Sequence, residues 1–400
     1  MSFIEKAVKM VDIERLYNHI RSLEGIKHAL DSYDVLIQAG DYFEKTLKQN
    51  GIDTNKQFFP VEGLKKEFFN VEGLLRKTVD FSNPTLLITS HYDTVYSTPG
   101  ADDNASGVAV TLEVARILSE LNYNKNVIFV SFNLEEFSPI LQKPIRRIGT
   151  KYRVFDKKYR YTSWALKKYA DQFKKLIIAS GPAKSYLGEE EWNKFEAEAK
   201  QELKETELEF FKEQNRIFRE SAQDDPFGRS FLLGSDAYLK YAIEKKTNIF
   251  GVINLESVGF TSTQYHSQRL PAGTSLDMFK TYKTDQDQMI GNYIAIIGDK
   301  NSKILTNAFF ETSQHQSIKL PCACLDVPLN YEGIKQMIPD LLRSDHAPFW
   351  RFGIPAIMVT DTATFRNPYY HTAADTIDTL DFPFMKKVCQ TTLATILKIL

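Results

Sequence analysis

The sequence is poor in cysteine. Cys322, Cys324 and Cys389 are the only three in 400 residues, too few for a disulfide framework. The single residue between Cys322 and Cys324 matches neither a CxxC redox pair nor a zinc ribbon. All three are expected to act as small buried apolar side chains. No stretch approaches the roughly 20 apolar residues that a membrane span needs. The N-terminal segment MSFIEKAVKMVDIERLYNHI has acids throughout and no apolar core of signal-peptide length. The expectation is a soluble, cytoplasmic protein with no membrane partner. Neither sign of charge dominates, with 50 Lys and Arg against 51 Asp and Glu. That balance gives no electrostatic footprint for nucleic acid or an anionic lipid surface. Internal repeats and low-complexity linkers are missing as well.

What is there is an alternation of two periodicities. At 400 residues the chain exceeds the roughly 250–300 at which one hydrophobic core stops growing, so a large domain with an insertion is expected. Leu36, Ala39, Phe43 and Leu47 recur at helical spacing, and Asn50-Gly51 ends that run. Residues 56–61 and 67–75 read as a strand pair. The runs TLLITS (85–90), NVIFVSFN (126–133), NIFGVIN (248–254), YIAII (293–297) and AIMVT (356–360) read as buried strands. Val110, Val114, Ile117 and Leu118 form a helical stripe between two of them. Strands alternating with helices predict an α/β fold, a three-layer sandwich around a mixed, mostly parallel sheet.

Residues 137–231 break this rhythm. They lack buried-strand runs, are dense in Lys and Glu, and contain Ser180-Gly181-Pro182 and Asp224-Asp225-Pro226 as internal punctuation. Trp192, Phe195, Ala199, Leu203, Phe210 and Ile217 form one long helical stripe opposite a charged face. The domains read as 1–136 with 232–400, interrupted by a mainly helical insertion at 137–231.

The residues with chemistry stand at the ends of the predicted strands: His91 and Asp93, then Asp102-Asp103 in the following loop, then Glu135-Glu136, then Glu256. In open α/β sheets, ligands bind where the carboxyl ends of strands open into a crevice. Metal-assisted hydrolysis needs a Lewis acid, a water of lowered pKa and a base. Two adjacent zinc ions need a bridging carboxylate and further His, Asp or Glu ligands. Each residue alone has a plain structural reading. A Glu pair suits a first helical turn, Asp-Asp-Asn suits a turn, and Asp375 within HTAADT suits a helix cap. Acids and an imidazole at successive strand ends are harder to explain that way.

Five ordered segments, HYDTV, PGADDNASGVA, NLEEF, NLESVG and YYHTAADT, resemble the co-catalytic zinc aminopeptidases. That superfamily includes bacterial leucyl aminopeptidases, aminopeptidase Y, glutamate carboxypeptidase and glutaminyl cyclase. The resemblance extends to SDHAPFWRFGIPAIMV (344–359). After the Glu pair it resumes only at LLGSDAYL (232–239), which agrees with the insertion. It implies two zinc ions per chain and a peptide substrate. His91 and Glu256 would bind one ion, Glu136 and His371 the other, and Asp103 would bridge. The resemblance further implies Glu135 as general base, Asp93 as the carboxylate orienting an imidazole ligand, and Tyr370 as a phenol polarising the scissile carbonyl.

Two departures stand out. The family more commonly places Asp where this chain has Glu256, and spacing alone does not choose between Asp102 and Asp103. The activity the resemblance implies is removal of N-terminal residues. A carboxypeptidase or dipeptidase, a glutaminyl cyclase-like transferase and an inactive binding homologue are the alternatives. Acids near the metals would suit a free α-amine, whereas arginines there would suit a C-terminal carboxylate. The specificity loops are expected in 257–275 and 330–345. The insertion, starting just after Glu136, would either narrow the crevice, form a homo-oligomer contact, or decorate the surface.

Overall fold

The computed structural model describes residues 2–75, 82–156, 161–179, 186–224, 231–285 and 289–400. The chain divides into two compact units, Met1–Glu136 with Leu232–Leu400, and Phe137–Phe231.

The larger unit is built on nine strands: β1 (Asp53–Phe59), β2 (Phe68–Leu74), β3 (Thr85–His91), β4 (Val127–Phe132), β5 (Ile249–Glu256), β6 (Lys280–Tyr282), β7 (Ile294–Gly298), β8 (Cys322–Asp326) and β9 (Ala356–Thr360). Their order across the sheet is β1-β2-β4-β3-β5-β9-β7-β8-β6. The four central strands, β4, β3, β5 and β9, run parallel to one another. Antiparallel pairs lie toward both edges, with one parallel pair, β7 with β8, on the far side. The sheet is therefore mixed, with its parallel strands concentrated at the centre. All seven residues of β3 and all six of β4 are buried, as strands covered on both faces must be.

Successive side chains point to opposite faces. Leu87 of β3, Ile128, Val130 and Phe132 of β4, Val252 of β5 and Met358 of β9 enter one shared core. Tyr238 and Leu239 of the helix Leu233–Glu244, Ile334 of Tyr331–Met337, and Phe349 and Trp350 of Ala347–Arg351 complete it. On the other face the helix Gly107–Glu120 packs against β3 and β5, and Lys303–Ser313 packs against β7 and β8. The helix Phe382–Ile399 rests on both of those helices. Gly107–Glu120 is buried on every side from Gly107 to Leu118, so the sequence stripe Val110, Val114, Ile117 and Leu118 understates its apolar surface. Tyr33–Gln49 ends at Asn50, and Gly51 takes a φ of +74°, the left-handed stop that glycine permits.

Two strands, β6 and β8, were not apparent from sequence. CACLD of β8 is short and rich in small residues, with none of the β-branched or aromatic density that marks a strand. The three cysteines are free and buried.

The smaller unit is helical, with Pro139–Lys151, Trp164–Ala179, Glu189–Ala199 and Glu205–Asp224. Its own core holds Val154, Leu166, Phe173, Phe195, Phe210 and Phe211. The expected single long stripe is divided between two helices. The first ends at Ala199, and Glu207 Oε2 accepts the Lys204 N–H at 2.8 Å where the second begins. The break lets the two apolar faces meet, with Phe195 and Phe211 at 5.4 Å between ring centroids. Of the sequence punctuation, Ser180-Gly181-Pro182 and Asp225-Pro226 lie outside the described residues.

Candidate active site and metal centre

Because β4, β3 and β5 are parallel neighbours, their carboxyl ends share one edge of the sheet. His91 is the last residue of β3, Glu256 is the last of β5, and Glu135 and Glu136 follow the end of β4. The loop and irregular helical turn at Ala101–Ser106 then enter the same edge. Asn104 Nδ2 donates to Leu255 O at 2.8 Å, and Asn104 Oδ1 accepts the Ser257 N–H at 3.1 Å. Ser106 Oγ accepts the Val258 N–H at 2.9 Å. These bonds fasten the turn to the end of β5.

Asp102 and Asp103 face different surroundings. Asp102 faces inward, accepting from Gly259 N at 2.9 Å and Asn367 Nδ2 at 2.7 Å. Asp103 faces the site. Its Oδ1 lies 3.3 Å from His91 Nε2, and its Oδ2 lies 3.0 Å from His371 Nε2. His91 Nε2 is also 3.4 Å from Glu256 Oε2, and His371 Nε2 is 2.6 Å from Glu136 Oε1. Two groups result, His91–Asp103–Glu256 and Asp103–Glu136–His371, each with its potential ligand atoms within 4.8 Å of one another. Either group could hold a metal ion, and Asp103 belongs to both.

Asp93 joins two parts of the site. Its Oδ1 accepts the Glu135 N–H at 3.0 Å and its Oδ2 the Glu136 N–H at 2.9 Å. The same Oδ1 lies 3.4 Å from His91 Nδ1. Asp375 does for the Asp102-Asp103 backbone what Asp93 does for the glutamates, accepting the N–H groups at 2.9 and 3.2 Å. It caps this turn rather than a helix of its own segment. Tyr370 stacks on His371, ring centroids 3.7 Å apart and planes 17° apart. Backbone strain gathers here. Leu134 (φ +59°), Ser257 (φ +48°) and His371 (φ +58°) all take left-handed conformations, which non-glycine residues adopt at a cost and which cluster at functional sites.

The electrostatics call for positive charge. Burial opposes protonation of His91, yet the carboxylates of Glu256, Glu135, Asp103 and Asp93 hold its pKa well above the ordinary value. Burial raises Glu135, and Glu136 and Glu256 raise it further while His91 pulls it down. Burial and the nearby Asp103 likewise push Glu136 up. A metal cation would relieve this crowding of acids. Among the described residues, His91 Nδ1 and Nε2 and Asp103 Oδ1 are buried and make no well-directed hydrogen bond, a condition that costs free energy unless something else engages them. The nitrogen and carboxylate donors fit that something being a divalent cation.

A relay that sequence reading missed supports Glu256. Ser344 Oγ donates to Glu256 Oε2 at 2.7 Å and accepts from Asn254 Nδ2 at 2.8 Å, and Thr89 Oγ1 donates to Asn254 Oδ1 at 2.8 Å. The available signal was a polar side chain inside an apolar strand, at Thr89 and at Asn254. Lys27 was missed too. It is buried, and its Nζ donates to the carbonyls of Leu23, Gly25 and Pro99 at 2.8, 2.8 and 3.0 Å. Those bonds tie the end of the helix Ile13–Leu23 to the loop ahead of Asp103.

A cavity opens beside Glu256 and Tyr370. Tyr293 just ahead of β7, Ala295 and Ile297 of β7, Leu325 of β8 and Met358 of β9 line it, with the segments 268–271, 340–343 and 362–365 around them. The expected specificity stretches supply part of this lining, and 362–365 was not anticipated.

Residues 70–396 match peptidase family M28. The chain belongs to that family. The chain is also similar to Escherichia coli (strain K12) YfbL, an uncharacterised protein. It is 24% identical over 388 residues, covering 94% of this chain and 84% of that one. The Legionella pneumophila LapA aminopeptidase aligns at a TM-score of 0.57 and 14% identity, covering 99% of this chain and 74% of that one. Porphyromonas gingivalis glutaminyl cyclase aligns at 0.52 and 14%, covering 98% and 100%. At such identities the two structures speak for the shared M28 fold and not for one chemistry over another. Among the described residues, no helix is long and apolar enough to cross a membrane.

Proposed function

We propose that this M28 peptidase is an exopeptidase that holds two zinc ions and removes N-terminal residues from peptides. The observation that carries the reading is Asp103, whose two oxygens face two different imidazoles, each with its own further carboxylate. His91 and Glu256 would hold one ion, Glu136 and His371 the other, with Asp103 between them. Bound there, the ions would supply Lewis-acid polarisation of a carbonyl and a water of lowered pKa.

The protein's own part follows from the placement of its side chains. Glu135 adjoins Glu136 but belongs to neither ligand group, so its carboxylate is free to take a proton from the attacking water and return it to the leaving amine. Asp93 fixes the backbone of Glu135 and Glu136 and stands beside His91 Nδ1, which sets the ring orientation. Burial, together with the charges of Asp103 and Glu136, holds the Tyr370 phenol well above its ordinary pKa. It therefore remains a hydrogen-bond donor for a developing oxyanion.

The test is a metal count on the purified protein, combined with hydrolysis rates for free and N-acetylated peptides, with added zinc and with chelator. About two ions per chain, chelator-sensitive turnover and slow N-acetyl substrates are the expected results. N-acetyl peptides cleaved as fast as free ones would eliminate the aminopeptidase reading. One ion per chain with cyclisation of N-terminal glutamine would replace it with a cyclase, and metal binding without turnover would leave a binding protein.

A further inference from the structure

The cavity beside Glu256 combines an apolar interior with a cation at its edge. Tyr293, Ala295, Ile297, Leu325 and Met358 make the interior. Arg343 also lines the cavity, with half of its side chain (51%) exposed to solvent. Its one protein acceptor among the described residues is Asp340 Oδ1, at a long 3.4 Å. A guanidinium carries five donors in a planar fork, so most of this fork is left for something else. Arg343 lines the same cavity as Tyr370 and Glu256, the residues through which the cavity adjoins the candidate metal site. Arg269, the other arginine of the lining, is already engaged by Thr364 O. Arg343 also directly precedes Ser344, the residue bonded to Glu256, so its backbone is anchored to the site.

We propose that Arg343 determines specificity by binding the free C-terminal carboxylate of a short peptide whose first side chain fills the apolar cavity, making di- and tripeptides the preferred substrates. This rests on the exopeptidase reading above and narrows its substrate class. A forked guanidinium is the side chain best matched to a carboxylate, through two parallel charge-assisted hydrogen bonds. An acidic first residue would bring the same carboxylate chemistry, but its charge would have to enter a mainly apolar interior, where burying it is costly. Each added residue moves a peptide's terminus by about 3.3–3.6 Å, so a fixed Arg343 imposes a length limit.

The experiment measures binding separately from turnover. Zinc-supplemented Glu135→Gln protein, with and without Arg343→Met, is titrated calorimetrically with Leu-Ala, Leu-Ala-Ala and Leu-Ala-Ala-Ala, each also as its C-terminal amide, and with Glu-Ala-amide. With Arg343 present, Leu-Ala is expected to bind about 10- to 100-fold more tightly than its amide, the worth of a charge-assisted hydrogen bond. That preference should shrink as the peptide lengthens and vanish in Arg343→Met. Arg343→Lys, which keeps the charge without the fork, should restore part of it, and a purely structural role for Arg343 would not produce this pattern. A preference for acid over amide that is absent, or that survives Arg343→Met, overturns the proposal. So does an Arg343-dependent preference that appears with Glu-Ala-amide instead. Hydrolysis of Leu-Ala-amide by the unsubstituted protein is scored separately. Its failure would remove the parent reading, while the binding ratios would still decide for or against Arg343.

Discussion

Asp375 holds Asp103 in place from 272 residues away: its Oδ2 accepts the Asp103 backbone N–H at 3.2 Å, while its Oδ1 accepts that of Asp102 at 2.9 Å. Burial and the charges of Asp102 and Asp103 push the Asp375 carboxyl up to about 8, so the contact is made at an electrostatic cost. A bridging ligand is useful only if its two oxygens stay aimed at two sites. Asp375→Ala is expected to lower metal affinity by about 10- to 100-fold, the range for loss of a group that orients a ligand. A competitive chelator titration reads this directly, and unchanged affinity would contradict the positioning role.

Glu135 lies beside the metal groups without joining either. Glu135→Gln keeps the shape and the hydrogen-bonded backbone at Asp93 but cannot accept a proton. Turnover is expected to fall by about 10²- to 10⁴-fold while metal content stays at the unsubstituted level. The paired result matters, because a fall in both would place Glu135 among the ligands.

The loop ahead of Asp103 has no room for a side chain at Gly100. Its φ is +68°, and a Cβ there would sit 2.3 Å from Thr94 Cγ2 and 2.6 Å from Asp103 O. Gly353 has a similar φ of +72° but open space around it. Gly353→Ala should therefore cost only the left-handed penalty of about 1–2 kcal/mol. Gly100→Ala adds overpacking of about 1–3 kcal/mol and should also displace Asp103. Denaturant unfolding compares the two variants, and equal losses would show that crowding at Gly100 is relieved at no cost.

Much of this site could be read from the sequence, for a physical reason. Parallel neighbouring strands put their ends on one edge, so His91, Glu135, Glu136 and Glu256 converge once their strands are recognised. Residues whose role depends on a distant partner could not be read so easily. Ser344 and Thr89 meet at Asn254 across gaps of 90 and 165 residues, and nothing local in SDH marks that serine as a support for Glu256. The different surroundings of Asp102 and Asp103 likewise depend on Gly259 and Asn367, which bond the first from far along the chain. Strand β8 escaped because CACLD is buried without looking like a strand. The helical stripe from Trp192 to Ile217 was visible, but the turn after Ala199 that folds it on itself was not.

His346 makes folding sensitive to mild acid. It is fully buried, its Nε2 lies 2.8 Å from Leu341 O, and its ring meets Trp350 edge-on at 4.3 Å. Among the described residues its Nδ1 has no hydrogen-bond partner, so the neutral tautomer with hydrogen on Nε2 suits the ring, and a second proton would find no acceptor among them. Burial lowers its pKa to about 4, with the Leu341 carbonyl acting the other way. The unfolded chain titrates near the ordinary 6.5 and so binds more protons than the folded one between pH 6.5 and 4. Stability contributed by the neutral ring is complete above pH 6.5 and is lost progressively as the pH falls toward 4. At pH 5 the loss is about 2 kcal/mol relative to pH 7.5. Other buried groups titrate over the same range, so the measurement is the difference between the unsubstituted protein and His346→Gln in urea unfolding at pH 5 and 7.5. The variant is expected to be less stable at pH 7.5, where it loses the fitted ring, yet to lose about 2 kcal/mol less on acidification. Parallel pH dependence in the two proteins would mean that His346 does not stay neutral in the fold.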